Sequence, residues 1–228
     1  QHCLVSLNGV LQAPISSYTI SGSTIVFAAA LTTDDVIDFI TVMGDVLNLG
    51  QPSDGTVVPA SLGTTAVTAL TAGTGITSGT NTVYRSDVQK LGNIYHTRIL
   101  IDLTGLASSG SGDIIGKAGT ASSHIGQITA AINGTVLGGK ITCFEAPAGG
   151  DPDINLWYAD EATGAEDAAI TSLTNQIQMC DSGDFAIGTV VGIPTPPAAD
   201  KYLYMVTGAA TNADYTAGKL LIELFGYV

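Results

Sequence analysis

The chain has 228 residues with a formal net charge of −13; 45% of its residues are hydrophobic, only 12% are charged and 28 are glycine. That apolar fraction suffices for a core in each of two domains, which excludes disorder despite the charge, and seven basic residues without a cluster exclude a phosphate-neutralising nucleic-acid surface. The longest uninterrupted apolar run, residues 25–31, is far below the roughly 20 residues of a bilayer-spanning helix.

Residues 1–47 read as a small β-module. Asn8-Gly9 lies between apolar residues 4–7 and 10–12, and such a pair takes the positive φ angles of a two-residue hairpin turn. Ser21-Gly22-Ser23 separates residues 18–20 from 24–27 in the same way, and Thr33-Asp34-Asp35 breaks the chain before the apolar run 36–43. A meander of about four or five strands is expected.

Residues 48–81 change to Gly, Ser, Thr, Ala and Pro and read as an extended linker. The patches Val57-Val58 and Val67-Thr68-Ala69-Leu70 are too apolar for a solvated tether, so the segment is expected to act as a strap packed along a neighbouring chain. Glycines 73, 75 and 79 lack the lysine and helix of a phosphate loop.

Residues 82–228 read as a C-terminal antiparallel β-sandwich of jelly-roll character, which makes the whole chain all-β. In residues 98–103 the alternation puts Ile99, Ile101 and Leu103 on one face. Further strands are expected at 125–132, 136–145, 154–158, 201–206 and 219–225, with Asn133-Gly134 as a hairpin turn. Ile170, Leu173 and Ile177 fall at helical spacing and predict a short helix within residues 168–179.

The chemistry-bearing residues are sparse. His2, His96 and His124 lie far apart and in no metal or nucleophile motif, which predicts structural roles and no enzyme. Cys3, Cys143 and Cys180 form an odd set without a C-x-x-C pair; buried reduced thiols are expected, with a Cys143–Cys180 disulfide as the alternative. Asp151, Asp153, Asp160 and Glu161 bracket the apolar strand 154–158 and are the candidate ligands for a structural Ca²⁺, against the reading of solvated loop carboxylates; otherwise no cofactor is expected. Tyr95, Tyr202 and Tyr204 are candidate surface or interface aromatics, whereas Trp157 in its apolar strand reads as a core anchor.

The phrases VSLNGVLQ, YTISGSTIVFA and DVIDFI, in that order, resemble a β-module found near the start of tail-fibre and other virion proteins of tailed bacteriophages, especially marine ones. The segment GQPSDGTV at residues 50–57 resembles the linker that trails this module, and ITCFEAPAGGDPDINLWYAD with YTAGKLLIELFG resembles a domain of marine phage virion proteins. The resemblance implies a non-enzymatic structural protein on the exterior of the virion. Its implied partners are copies of itself, expected as a trimer, other virion proteins and a host-surface glycan or protein. A tail fibre or appendage is the first expectation, a head decoration protein that clamps capsid subunits the second, and a polysaccharide-degrading spike a distant third. Gln1 in place of an initiating Met suggests processing, or a sequence that begins inside a longer chain.

Overall fold

The structure, a computed structural model, describes residues 3–43 and 68–228. The chain divides into two compact units, Gln1–Thr56 and Val57–Val228. Both are all-β.

The first unit runs β1 (Cys3–Leu7), β2 (Val10–Leu11), β3 (Tyr18–Ser21), β4 (Thr24–Phe27) and β5 (Ile37–Val42). Asn8 and Gly9 both have positive φ, 52° and 77°, as a type I′ turn demands, and Leu7 faces Val10 across it. Gly22 alone supplies the positive φ, 58°, in the turn from Ser21 to Thr24, the pattern of a II′ hairpin. The strands make an antiparallel sheet β2-β1-β5 and a separate β3-β4 hairpin. Alternation along β1 buries Cys3 and Val5 against Tyr18, whose hydroxyl donates to the Cys3 carbonyl. Ile20, Ile25 and Phe27 close over this small core.

The second unit starts, where described, with Thr68 bridged to Val88. Residues 68–81 therefore do not lie free as the end of a linker: Leu70 is buried, and the one-turn helix α1 (Thr74–Thr77) buries Ile76 completely. The remainder of the expected strap, 48–67, lies outside the described residues. There follow β6 (Val83–Leu91), β7 (Ile94–Asp102), β8 (Ala107–Ser108), β9 (Gly126–Ile128), α2 (Ala130–Asn133), β10 (Thr135–Ala148), β11 (Ile154–Ala159), β12 (Ile177–Cys180), β13 (Val190–Ile193), β14 (Lys201–Thr207), β15 (Ala213–Asp214) and β16 (Ala217–Tyr227).

These strands form a five-stranded antiparallel sheet β13-β10-β16-β7-β6 and a four-stranded one β12-β11-β14-β9, with β15-β8 as a short extra pair. From β9 onward the chain passes repeatedly between the two large sheets, the connectivity expected of a sandwich with jelly-roll character. Their facing residues make one core: Ile99, Ile101, Ile141, Leu220, Ile222 and Leu224 from the larger sheet, and Leu156, Met179, Leu203 and Met205 from the smaller. Full burial of each such side chain contributes roughly 1.5–3 kcal/mol relative to exposure. The other face of the larger sheet carries cross-strand charge. Arg98 grips Asp87 with two nitrogens, and Glu223 meets His96 at 3.0 Å and Lys140 at 3.1 Å.

The smaller sheet is covered on both faces. Its outer face carries Trp157, Tyr202, Tyr204 and Val206, and residues Ile114, Ile170 and Leu173 from the long connections pack over them as a second cluster. Such coverage turns β11 and β14 into near-continuous buried runs and hides the period-2 signal.

Two expected local structures are corrected here. Asn133-Gly134 is no hairpin turn: Asn133 ends α2, Gly134 caps it with φ 65°, and β9 pairs with β14, not with β10. A hairpin and a helix C-terminus both call for positive φ after an Asn, so the dipeptide alone does not separate them. Buried Asn133 instead donates to Thr97 Oγ1 at 2.9 Å and accepts from the Thr129 N–H at 2.9 Å. The expected helix at 168–179 is only a 3₁₀ turn, Ile170–Ser172, followed by β12 on the sheet edge. Thr171, Ser172, Thr174 and Asn175 are weak helix formers, and Asn175 takes φ 51°.

Candidate functional site

Residues Asp151, Asp153, Asp160 and Glu161 do not form one site. The six extended residues of β11 stand between the two pairs and separate them by on the order of 20 Å. At the far end of that strand Asp160 pairs with Lys201 and accepts from Asn175 Nδ2 at 2.6 Å, while Glu161 accepts from the Thr174 N–H at 2.8 Å. These hydrogen bonds, with Lys201 first for Asp160, hold both carboxyls below their ordinary range.

Asp151 and Asp153 sit at the opposite end, in the loop 149–153, which Asp184 and Gly208 approach. Asp153 forms an isolated bridge with Asp184, and the Asp153 carbonyl accepts from the Gly208 N–H at 2.8 Å. The Tyr215 hydroxyl donates to the Asp151 carbonyl at 2.7 Å, and the Asp151 N–H donates to Ser108 Oγ at 3.0 Å. Asp151 is fully buried, with Oδ1 accepting from the Asp153 N–H at 3.0 Å. Asp151 Oδ2 and Asp153 Oδ1 are both buried without a hydrogen-bond partner. Burial, and then the charges of Asp181, Asp151 and Asp184, push the Asp153 carboxyl up. Glu166 is raised for the same kind of reason, by burial and then by Asp167, Asp214 and Asp113. Among the described residues, no three His, Cys, Asp or Glu side chains meet as a ready-made metal cluster.

The aromatic expectations divide. Tyr95 is not a surface residue: the alternation of β7 turns it inward with Thr97, Ile99 and Ile101, and Lys90 Nζ covers its ring 4.8 Å from the centroid. Tyr204 is likewise buried, because the long connections cover its sheet face; its hydroxyl donates to the Glu161 carbonyl at 2.6 Å and accepts from the Gly164 N–H at 3.2 Å. Only Tyr202 keeps an accessible edge. It lines a cleft of about 350 Å³ with Leu70, Thr71, His124, Gln127 and Thr129, and His124 meets its ring edge-on at 5.2 Å. Burial lowers the His124 pKa, opposed by Nδ1 facing the Ala162 carbonyl at 3.2 Å. Trp157 packs in the second cluster, and the three cysteines are buried free thiols.

The first unit offers a different feature. All six residues of β5 are exposed, with Phe39 at 49%, Ile40 at 45% and Val42 at 74%, and Val36 and Met43 extend the surface at either end. Val10 and Leu11 on β2 are exposed as well. Among the described residues β5 pairs only with β1, and no described strand lies on its outer edge. Asp38 and Thr41 are the polar residues of this strand, and Asp38 is the charged one: it accepts from the Gly9 N–H at 2.6 Å and from Ser6 Oγ at 2.9 Å, bonds that lower its pKa.

Sequence reasoning passed over this apolar edge and the partners Asp181 and Asp184. The edge was legible in VIDFITVM, where Ile37, Phe39, Ile40 and Val42 project to both faces of one strand. Asp181-Ser182-Gly183-Asp184 was legible as an acidic turn, but its meeting with Asp153 depends on long-range pairing. No protein-family model, curated protein or solved structure matches the chain.

Proposed function

We propose that this chain is a non-enzymatic structural component of a tailed-phage particle, a tail-fibre or appendage protein that works by assembly. The observation that carries the assembly reading is β5. A strand with exposed apolar residues on both faces, and one edge unpaired among the described residues, is costly in water and prone to pair with another chain. Covering a side chain that is half exposed contributes about 1 kcal/mol, half the value for full burial. Val36, Ile37, Phe39, Ile40, Val42 and Met43 together offer enough to offset part of the entropy of association. Closed self-association, with a trimer as the expected state, covers such a surface without leaving a growing end.

The placement on a virion rests on the resemblance of the N-terminal module, whose turns carry the conformations that its residues require. The chemistry agrees with an assembly role. His96 is occupied by Glu223 and stacks on Phe225 at 4.9 Å, and the thiols are buried in cores. Antibody labelling of tailed-phage particles that carry the protein, read by electron microscopy, tests the placement: label on a tail appendage is expected, and label confined to the head or missing from particles overturns it.

A further inference from the structure

We propose that Asp151 and Asp153 hold a divalent cation of the Ca²⁺ type at the loop end of the second unit, with Asp181 and Asp184 adding negative charge at its rim. A carboxylate oxygen buried without a donor is among the costlier features a fold can carry, and here two occur two residues apart, on Asp151 Oδ2 and Asp153 Oδ1. Asp151 has no surface exposed to bulk solvent.

The surroundings make the deficit larger. Arg98, Lys140, Lys201 and Lys219 are engaged with Asp87, Glu223, Asp160, Asp102 and Glu145; among the described residues no ion pair involves Asp151, Asp153, Asp181 or Asp184. Four carboxyls thus share one loop region without a basic partner. The site is also built, since the backbone is fixed on three sides: Ser108 Oγ takes the Asp151 N–H, Tyr215 holds the Asp151 carbonyl, and the Gly208 N–H holds the Asp153 carbonyl. Gly208 packs closely there: a Cβ would fall on the Asp153 carboxylate, which would have to move.

Hard oxygen donors of this kind suit Ca²⁺, which accepts six to eight oxygens in flexible geometry and completes its shell with water and main-chain carbonyls. Mg²⁺ fits less well, because it demands a near-ideal octahedron and dehydrates reluctantly. The competing way to relieve the repulsion is a proton shared between the two carboxyls. A proton and a cation give opposite results in the following experiment.

The full chain, stripped with chelator, is titrated with Tb³⁺ while tyrosine is excited, since Tyr215 touches the Asp151 carbonyl and can sensitise a lanthanide bound beside it. A saturable signal of one equivalent, displaced by Ca²⁺, is expected, together with a melting temperature of the second unit that rises with Ca²⁺ concentration by mass action. Asp153→Asn should weaken Tb³⁺ at least about tenfold and Asp184→Asn by a smaller factor, because affinity follows ligand charge. Asp160→Asn, at the other end of β11, should leave it unchanged. No saturable signal, a melting temperature indifferent to Ca²⁺, or equal loss in Asp160→Asn would overturn the proposal, and proton uptake on folding in its place would assign the pair to a shared proton. Should Asp153→Asn fail to fold, the wild-type titration and the rim variant Asp184→Asn decide.

Discussion

Replacing Gly9 with Val tests the turn on which the first unit's register depends. Gly9 has φ 77° and an ideal Cβ there meets nothing within 4 Å, so the whole penalty is backbone strain and no neighbour is displaced. A β-branched residue held at positive φ costs roughly 1–3 kcal/mol. At ~0.05–0.15 kcal/mol per residue, a unit the size of Gln1–Thr56 has a total stability of roughly 3–8 kcal/mol. The substitution therefore removes a large share, and at ~4–8 °C per kcal/mol it lowers the melting temperature of this unit by on the order of 5–20 °C. Differential scanning calorimetry of the full chain should show that transition moving while the transition of the second unit stays in place. Gly9→Asn is the control, since Asn tolerates the left-handed region and should cost far less. An unmoved transition in Gly9→Val, or an Asn variant as damaged as the Val variant, would refute the argument from φ.

Tyr204→Phe removes a buried hydroxyl that serves the Glu161 carbonyl and the Gly164 N–H, which costs about 1–3 kcal/mol; the melting temperature of the second unit should fall by about 3–10 °C, and no fall would show that both groups find water instead. A pH prediction follows from His124, whose folded pKa is depressed by burial. Its contribution is fully present above the unfolded value of about 6.5, because below that value the unfolded chain takes up a proton the folded chain resists. The urea midpoint of the wild type should therefore drop more steeply than that of His124→Asn as pH falls from about 7.5 to 6, and parallel curves would contradict the burial argument.

The parts of the fold legible in the sequence were those set by local backbone chemistry. Asn8-Gly9 and Ser21-Gly22-Ser23 specified two turns because few residues accept positive φ, and the alternation of Ile99 and Ile101 announced a sheet with one face inward. Local signals misled where two structures share them, as at Asn133-Gly134, or where period 3–4 spacing arises by chance, as in Ile170, Leu173 and Ile177. The Gly92-Asn93 turn between β6 and β7 carried a II′ signal that was passed over; Gly92 has φ 60° and Leu91 faces Ile94. The burial of Tyr204 and the meeting of Asp153 with Asp184 could not be read, because both depend on tertiary coverage. Nothing local tells Tyr204 that the chain around Ile114 and Ile170 will pack over it, or tells Asp153 that Asp184 will arrive beside it while Asp160 is carried away along β11.

The proposal that the exposed apolar strand β5 is an assembly surface is decided by sedimentation velocity of the purified chain across the micromolar range, wild type beside Phe39→Lys/Val42→Lys, since both positions are exposed and their replacement leaves the Cys3, Val5 and Tyr18 core intact. A closed oligomer, a trimer, is expected for the wild type and a folded monomer with unchanged circular dichroism for the variant. A wild type that sediments as a monomer throughout, or a variant that keeps the oligomer, would contradict it.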